Sequence, residues 1–241
     1  MKKISIVMGT LNRVHLIPGL IENTVNSCEN LELVISDGGS TDGTLEYIKS
    51  LNHPRIKLIE IGHQSPCPHF INLAISASSH EWILQWTDDA YMINRWEEVM
   101  DQLDESDFYL FTWKYGLKDD LNNSEWLKCE NRTGWNCNGW RLFLKQYGEG
   151  DIVVNWGIFR KQIFRDIGLF CEEYEFWCSD GDMTERAFAF GYKPKVCENI
   201  KVLVFPESPA RNCWMEDKVI YQKNRSLYTQ RILPQGLKYL E

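Results

Sequence analysis

The sequence lacks most of what would tie it to a membrane, a nucleic acid or an oxidising compartment. No run approaches the ~18 consecutive apolar residues of a membrane-spanning helix. After Met1-Lys2-Lys3, the stretch Ile4-Ser5-Ile6-Val7-Met8 is too short for a secretory signal core and reads as a strand. A basic face is missing: the net charge is −8 at pH 7, which argues against a nucleic-acid partner. The eight cysteines are scattered with no C-x-x-C pair, which argues against a zinc site and, without a secretory leader, predicts reduced thiols. Internal repeats and low-complexity linkers are absent. These absences predict a cytoplasmic globular protein with no transmembrane segment, in which the N-x-[ST] sequons at Asn122, Asn131 and Asn224 carry little meaning. Peripheral membrane contact through the aromatic-rich tail stays open.

What is present begins with size. A chain of 241 residues buries one substantial core, as one domain or a domain with a subdomain. The aromatic share, 13% with ten Trp, is high, and large aromatics serve either as core or as exposed surfaces on which sugars stack. Strand and helix signals alternate at short spacing through the first half, as a parallel sheet with crossover helices requires. Strands are expected at Ile4–Met8, Leu31–Ser36, Ile56–Ile61 and Trp82–Trp86. The turn Asp37-Gly38-Gly39-Ser40-Thr41-Asp42-Gly43-Thr44 uses glycine freedom, with Thr41 or Asp42 available to cap the next helix. The second half is less regular: a helix over residues 94–103, an aromatic strand Phe108–Trp113, a loop-rich insertion over 116–150, a last strand Lys195–Phe205 and a helix from Lys218 to about Tyr228.

The strand Trp82–Trp86 ends in Thr87-Asp88-Asp89. Carboxylates at the carboxyl end of a strand sit where α/β folds bind ligands. Two side by side repel unless they are solvated, hydrogen-bonded or share a cation, and with oxygen ligands that cation is Mg²⁺ or Mn²⁺. Taken in isolation, such a pair reads rather as a solvated turn with an Asp capping the next helix. A phosphorylated ligand in so acidic a protein would need a local cation.

Several motifs occur together in a fixed order: Ser5 to Arg13, Val34 to Thr44, Asn72-Leu73-Ala74, Trp86 to Asp89, Gly157-Ile158-Phe159-Arg160, Gly168-Leu169-Phe170, and Ser179-Asp180-Gly181-Asp182 running into Gly191-Tyr192-Lys193. In this the chain resembles the family-2-like GT-A glycosyltransferases over roughly residues 4 to 205. The resemblance implies a Rossmann-like α/β fold with a mixed, mainly parallel sheet flanked by helices and a loop-rich acceptor region. It divides the chain into a transferase domain, 1–205, with a nucleotide-binding half (1–90) and an acceptor half (91–205), followed by a helical extension, 206–241.

It also implies roles. Thr10 and Arg13 would contact the nucleotide, Arg13 at a uracil edge or a phosphate. Asp37 would accept a hydrogen bond from the base. Asp88 and Asp89 would hold the divalent metal at the donor diphosphate. Asp180 would be the base that takes the acceptor proton, with Asp182 modulating it or capping its helix. Trp156 would be a stacking platform where sugar and acceptor meet, with core packing as the other reading; Trp135, Trp140 and Trp177 are lesser candidates.

The implied activity is inverting transfer of a single sugar from a nucleotide-diphosphate donor, UDP-sugar favoured and GDP-sugar possible, to a glycan, lipid-linked or protein acceptor. Two departures bear on the metal: Trp86 stands in place of a first aspartate, and no histidine follows His80. A sugar-phosphate nucleotidyltransferase and a non-catalytic carbohydrate-binding relative are the alternatives. The first would show a more glycine-rich, basic loop after strand one than Gly9-Thr10-Leu11-Asn12-Arg13.

Overall fold

A computed structural model describes residues 2–128, 131–132, 140–141, 156–205 and 212–241. Much of the expected 116–150 insertion, with Trp135, lies outside the described residues, and Trp140 is described in backbone only.

The first half is built as the alternation predicts: β1 (Ile4–Thr10), α1 (Ile17–Asn23), β2 (Leu31–Asp37), α2 (Thr44–Ser50), β3 (Ile56–Glu60), α3 (Cys67–Ala77) and β4 (Trp82–Gln85). After it come β5 (Ala90–Met92), α4 (Trp96–Asp101), β6 (Phe108–Tyr115), α5 (Ser124–Lys128), β7 (Asn131–Arg132), β8 (Trp140–Arg141), β9 (Gly157–Arg160), α6 (Lys161–Asp166), α7 (Ser179–Ala189), β10 (Pro194–Val204) and α8 (Trp214–Tyr228). The sheet runs β3-β2-β1-β4-β9-β6-β10-β5, with β8 paired to β6 and β7 to β8. Strands β1 to β4 are mutually parallel, whereas β9 enters antiparallel between β4 and β6. The fold is thus the mixed, mainly parallel α/β sheet that the sequence predicts.

The chain leaves β1 to build β2 and β3 on one side, then returns to build β4 on the other. That reversal opens a crevice beyond the carboxyl ends of β1 and β4, which is where open α/β sheets bind ligands. The central strands are apolar on both sides because both faces are covered. One core face gathers Ile6, Leu33, Leu84, Trp86 and Trp113, and the other gathers Val7, Val34, Ile83, Phe159 and Met183.

Phe159 anchors the second face. It is fully buried and packs on Phe108, Phe164 and Phe170 with ring centroids 5.8, 5.7 and 6.4 Å away. Truncation leaves a cavity that such a β-strand position cannot close, so Phe159→Ala is expected to cost about 3–5 kcal/mol. Urea unfolding checks this, and a loss below about 1 kcal/mol would mean that the face repacks.

Candidate active site

Two loops at the carboxyl ends of β1 and β2 are laced together. The Asn12 amide donates to Ser40 Oγ at 2.8 Å, Thr41 returns a bond to Asn12 Oδ1, and the Arg13 amide donates to Thr44 Oγ1 at 2.9 Å. Asp42 accepts from the Thr44 amide and hydroxyl, so it does steady the start of α2, although Gly43 stands between them in the left-handed region. Gly39, at φ +89°, needs both freedoms of glycine: a Cβ there would stand 2.8 Å from the Gly62 carbonyl.

Asp37 belongs to this lacing. It is fully buried, its Oδ1 accepts from the Gly39 and Ser40 amides, and its Oδ2 accepts from the Ser40 hydroxyl. Its carboxylate therefore shapes the turn, and it does not line the cavity described next.

That cavity, about 970 Å³, opens beyond β1 and β4. It collects Thr10, Arg13, Asp88, Asp89, Trp156 and Asp180, which the sequence spreads over some 170 positions. Thr10 donates to Asp88 Oδ2 at 3.0 Å, and Arg13 Nε lies 3.6 Å from Asp88 Oδ1. Burial and then the neighbouring Asp89 charge push the Asp88 carboxyl up to about 6, against the pull of Arg13 and Thr10. Crowded carboxylates of this kind are the site a divalent cation would relieve. Among the described residues no group of three or more His, Cys, Asp and Glu could hold a metal by itself. The residues present fit a cation that arrives with, and is completed by, an anionic ligand.

Trp86, in place of a first aspartate, is core: it is 1% exposed and packs on Trp96 at 6.2 Å. Trp156 is mostly buried, stands edge-on to Trp113 at 4.9 Å and donates its indole N–H to Thr87 Oγ1. It contributes to the wall of the cavity with only 7% of its surface exposed.

Across the cavity, Asp180 lies in the first turn of α7, whose N-cap is Cys178 rather than either aspartate. Its Oδ1 accepts from the Gly181 amide at 2.8 Å, and burial pushes its carboxyl up to about 6. Asp182 points the other way. It is fully buried, accepts from the Tyr174, Tyr228 and Asn224 side chains, caps nothing and does not contribute to the Asp180 shift.

Sequence reasoning expects the tail after Pro206 to shape the acceptor site but names no residue of α8 for it. Lys218, Tyr221, Gln222 and Arg225 line the cavity from this helix, bringing two cations to it in addition to Arg13. The spacing Lys218, Tyr221, Gln222, Arg225 follows one helical face and is the signal that was available.

A family model described as glycosyl transferase family 2 matches residues 5–168. Among solved structures, S. aureus TarS 1–349 in complex with UDP is similar with a TM-score of 0.64 at 19% identity, over 95% of this chain and 66% of that one. The same protein with UDP-GlcNAc gives 0.66 at 18%, over 98% and 68%. The mannosyltransferase PcManGT from Pyrobaculum calidifontis, solved with GDP-Man and Mn²⁺, gives 0.62 at 16%, over 95% and 64%. This chain thus spans about two thirds of the length of these structures, and at such identities the likeness speaks for the fold. No curated protein matches it.

Proposed function

The chain belongs to glycosyl transferase family 2, and on that premise we propose that it moves a single sugar from a nucleoside-diphosphate donor to a hydroxyl acceptor with inversion. The observation that carries this reading is the meeting of Asp88, Asp89 and Asp180 in one cavity at the sheet's reversal point. UDP is the favoured nucleotide and GDP the other possibility, and both kinds of donor, UDP-GlcNAc and GDP-Man, occur in the complexes named above. The acceptor belongs to a glycan, a lipid-linked saccharide or a protein.

Asp180 takes the proton of the acceptor hydroxyl. The acceptor oxygen bonds to the anomeric carbon while the bond from that carbon to the diphosphate oxygen breaks, leaving the nucleoside diphosphate. One displacement inverts the centre and needs no nucleophile from the protein. Asp88, with Asp89 beside it, would hold Mn²⁺ or Mg²⁺, which when bound neutralises the diphosphate as a leaving group. Arg13, Lys218 and Arg225 supply positive charge around the same cavity, offsetting the repulsion that a protein of net charge −8 presents to a diphosphate. Thr10 and Arg13 position Asp88, and Asp37 holds the turn against which the nucleotide loop rests.

Calorimetric titration of UDP, GDP and their sugars, each with and without Mn²⁺, tests this. Binding of one nucleotide series that tightens with Mn²⁺ is expected. Binding without any turnover would favour a non-catalytic carbohydrate-binding protein, and no binding of any nucleotide would remove the proposal.

A further inference from the structure

The helix α8 lies outside the family match, yet it is fastened to the Asp180 side of the cavity by carboxylates that are almost fully buried. Asp182 of α7 accepts from Asn224 and Tyr228 of α8. Glu185 of α7 accepts from Tyr221 at 2.8 Å and pairs with Arg225 at 3.2 Å. Asp217 of α8, 1% exposed, reaches the loop that leads into α7. Its Oδ1 accepts the Glu175 amide at 2.8 Å, and its Oδ2 accepts the Phe176 amide at 2.9 Å and the Trp177 amide at 2.6 Å.

Three successive amides converging on one anion form a nest around it. Residues 175–178 belong to no helix or strand, so this carboxylate replaces the ladder that would otherwise hold them. At its two ends the loop is also tied through backbone: the Glu175 carbonyl accepts from the Cys67 amide at the start of α3, and the Cys178 carbonyl accepts from the Asp182 amide of α7. The loop ends at Cys178 with φ +65°, a left-handed conformation for a non-glycine residue, which persists only where its surroundings impose it. Asp180 follows two residues later. An apolar contact would dock α8 with less desolvation cost; a buried carboxylate with both oxygens hydrogen-bonded, as in Asp217, is worth keeping where one geometry must be specified.

We propose that Asp217 is a positioning residue for the transfer reaction: by gathering the 175–177 amides it sets the loop that leads into the first turn of α7, and with it the aim of Asp180 into the cavity. This rests on the reading of Asp180 as the base. Asp217 does not line the cavity and acts only through the loop. Its loss therefore belongs in turnover and not in nucleotide affinity, because the Thr10–Arg13 loop and Asp88 hang on other strands.

The experiment is a double-mutant cycle of Asp217→Asn and Asp180→Asn. It is read as turnover of UDP- and GDP-sugars to free nucleoside diphosphate in Mn²⁺, with nucleotide affinity measured by calorimetry. Asparagine keeps the size of Asp217 but turns donors toward amides that need acceptors. A displaced catalytic group costs on the order of 100-fold, so Asp217→Asn is expected to lower kcat by about 30- to 100-fold, with donor KM and nucleotide affinity within about twofold. In the Asp180→Asn background the same change is expected to be nearly silent. Losses that multiply, or a loss carried in KM and nucleotide affinity, would overturn the proposal and leave Asp217 a purely structural residue. If Asp180→Asn alone keeps nearly full turnover, the base assignment itself fails, an outcome separate from multiplying losses. Should Asp217→Asn not fold, Asp217→Glu, which keeps the charge and shifts it by one methylene, is put through the same cycle against the same expectations.

Discussion

Asp180→Asn should bind the nucleotide donor as the wild type does and turn it over two to four orders of magnitude more slowly, the range that a positioned general base contributes. The substitution changes one oxygen for nitrogen in a group that accepts from the Gly181 amide, so the first turn of α7 keeps its shape. The folded protein already disfavours the Asp180 charge, since burial has pushed its carboxyl up to about 6. For a carboxyl with a raised pKa the sign is unfavourable to the charged form: the cost to stability is full above about 6, falls as pH drops from there, and is gone only below the ordinary value of 3.8. Asparagine removes the charge, so the variant is expected to unfold at the same temperature as the wild type or higher. Activity has the opposite dependence. The proton acceptor is the ionised form, so kcat should rise with pH up to a plateau above about 7 and fall tenfold per unit well below about 6. A variant that is both inactive and unstable would point to a structural role, and a flat profile between pH 5 and 8 would argue that another group takes the proton.

How far the sequence alone reaches is visible in particular residues. The strands β1 to β4 are apolar runs between turn signals, and each falls within a residue or two of its expectation. Where the strand order reverses is not readable from that alternation, but the placing of Asp88 and Asp89 is, since they follow β4 directly and so stand at its carboxyl end. Thr10 and Asp180 come to the same cavity for the same reason: each ends or begins an element that the pattern marks.

What escaped the reading was mainly the company polar residues keep. Asp37 and Asp182 look in sequence like exposed carboxylates, yet both are fully buried, with Asp37 bonded through both oxygens and Asp182 through Oδ1. Trp86 looks like a departure at the metal site and is filled into the core. The helix expected from Lys218 in fact starts at Trp214, and its first turn carries Asp217. The residue Asp217 serves is some 40 positions away in sequence, and no local pattern records such a pairing. The expected boundary at residue 205 assigns α8 to an extension, but the α7–α8 contacts argue for treating it as part of the acceptor half, and we propose that it folds with that half.

The other large effect is expected at Asp88. Asp88→Asn keeps a side chain that can accept the Thr10 hydrogen bond but withdraws the negative charge facing Asp89 and Arg13. In the free protein this is relief, because two adjacent, largely buried carboxylates repel. The melting temperature without metal should therefore stay level or rise. In the donor complex the same change removes the ligand on which the cation depends. The departures at Trp86 and beyond His80 leave no third protein carboxylate or histidine among the described residues to compensate. Metal stabilisation of a phosphate leaving group is worth several kcal/mol, on the order of 10³-fold in rate. Turnover should drop by about that factor, and Mn²⁺ should no longer tighten nucleotide binding. The comparison with Asp180→Asn is then informative in itself. Both variants are expected to be stable and slow, but only Asp88→Asn should lose the metal dependence of binding. If Asp88→Asn is slow while Mn²⁺ still tightens UDP or GDP, the cation is held elsewhere. If wild type and variant alike ignore Mn²⁺ yet turn the donor over, Arg13, Lys218 and Arg225 carry the diphosphate charge without a metal.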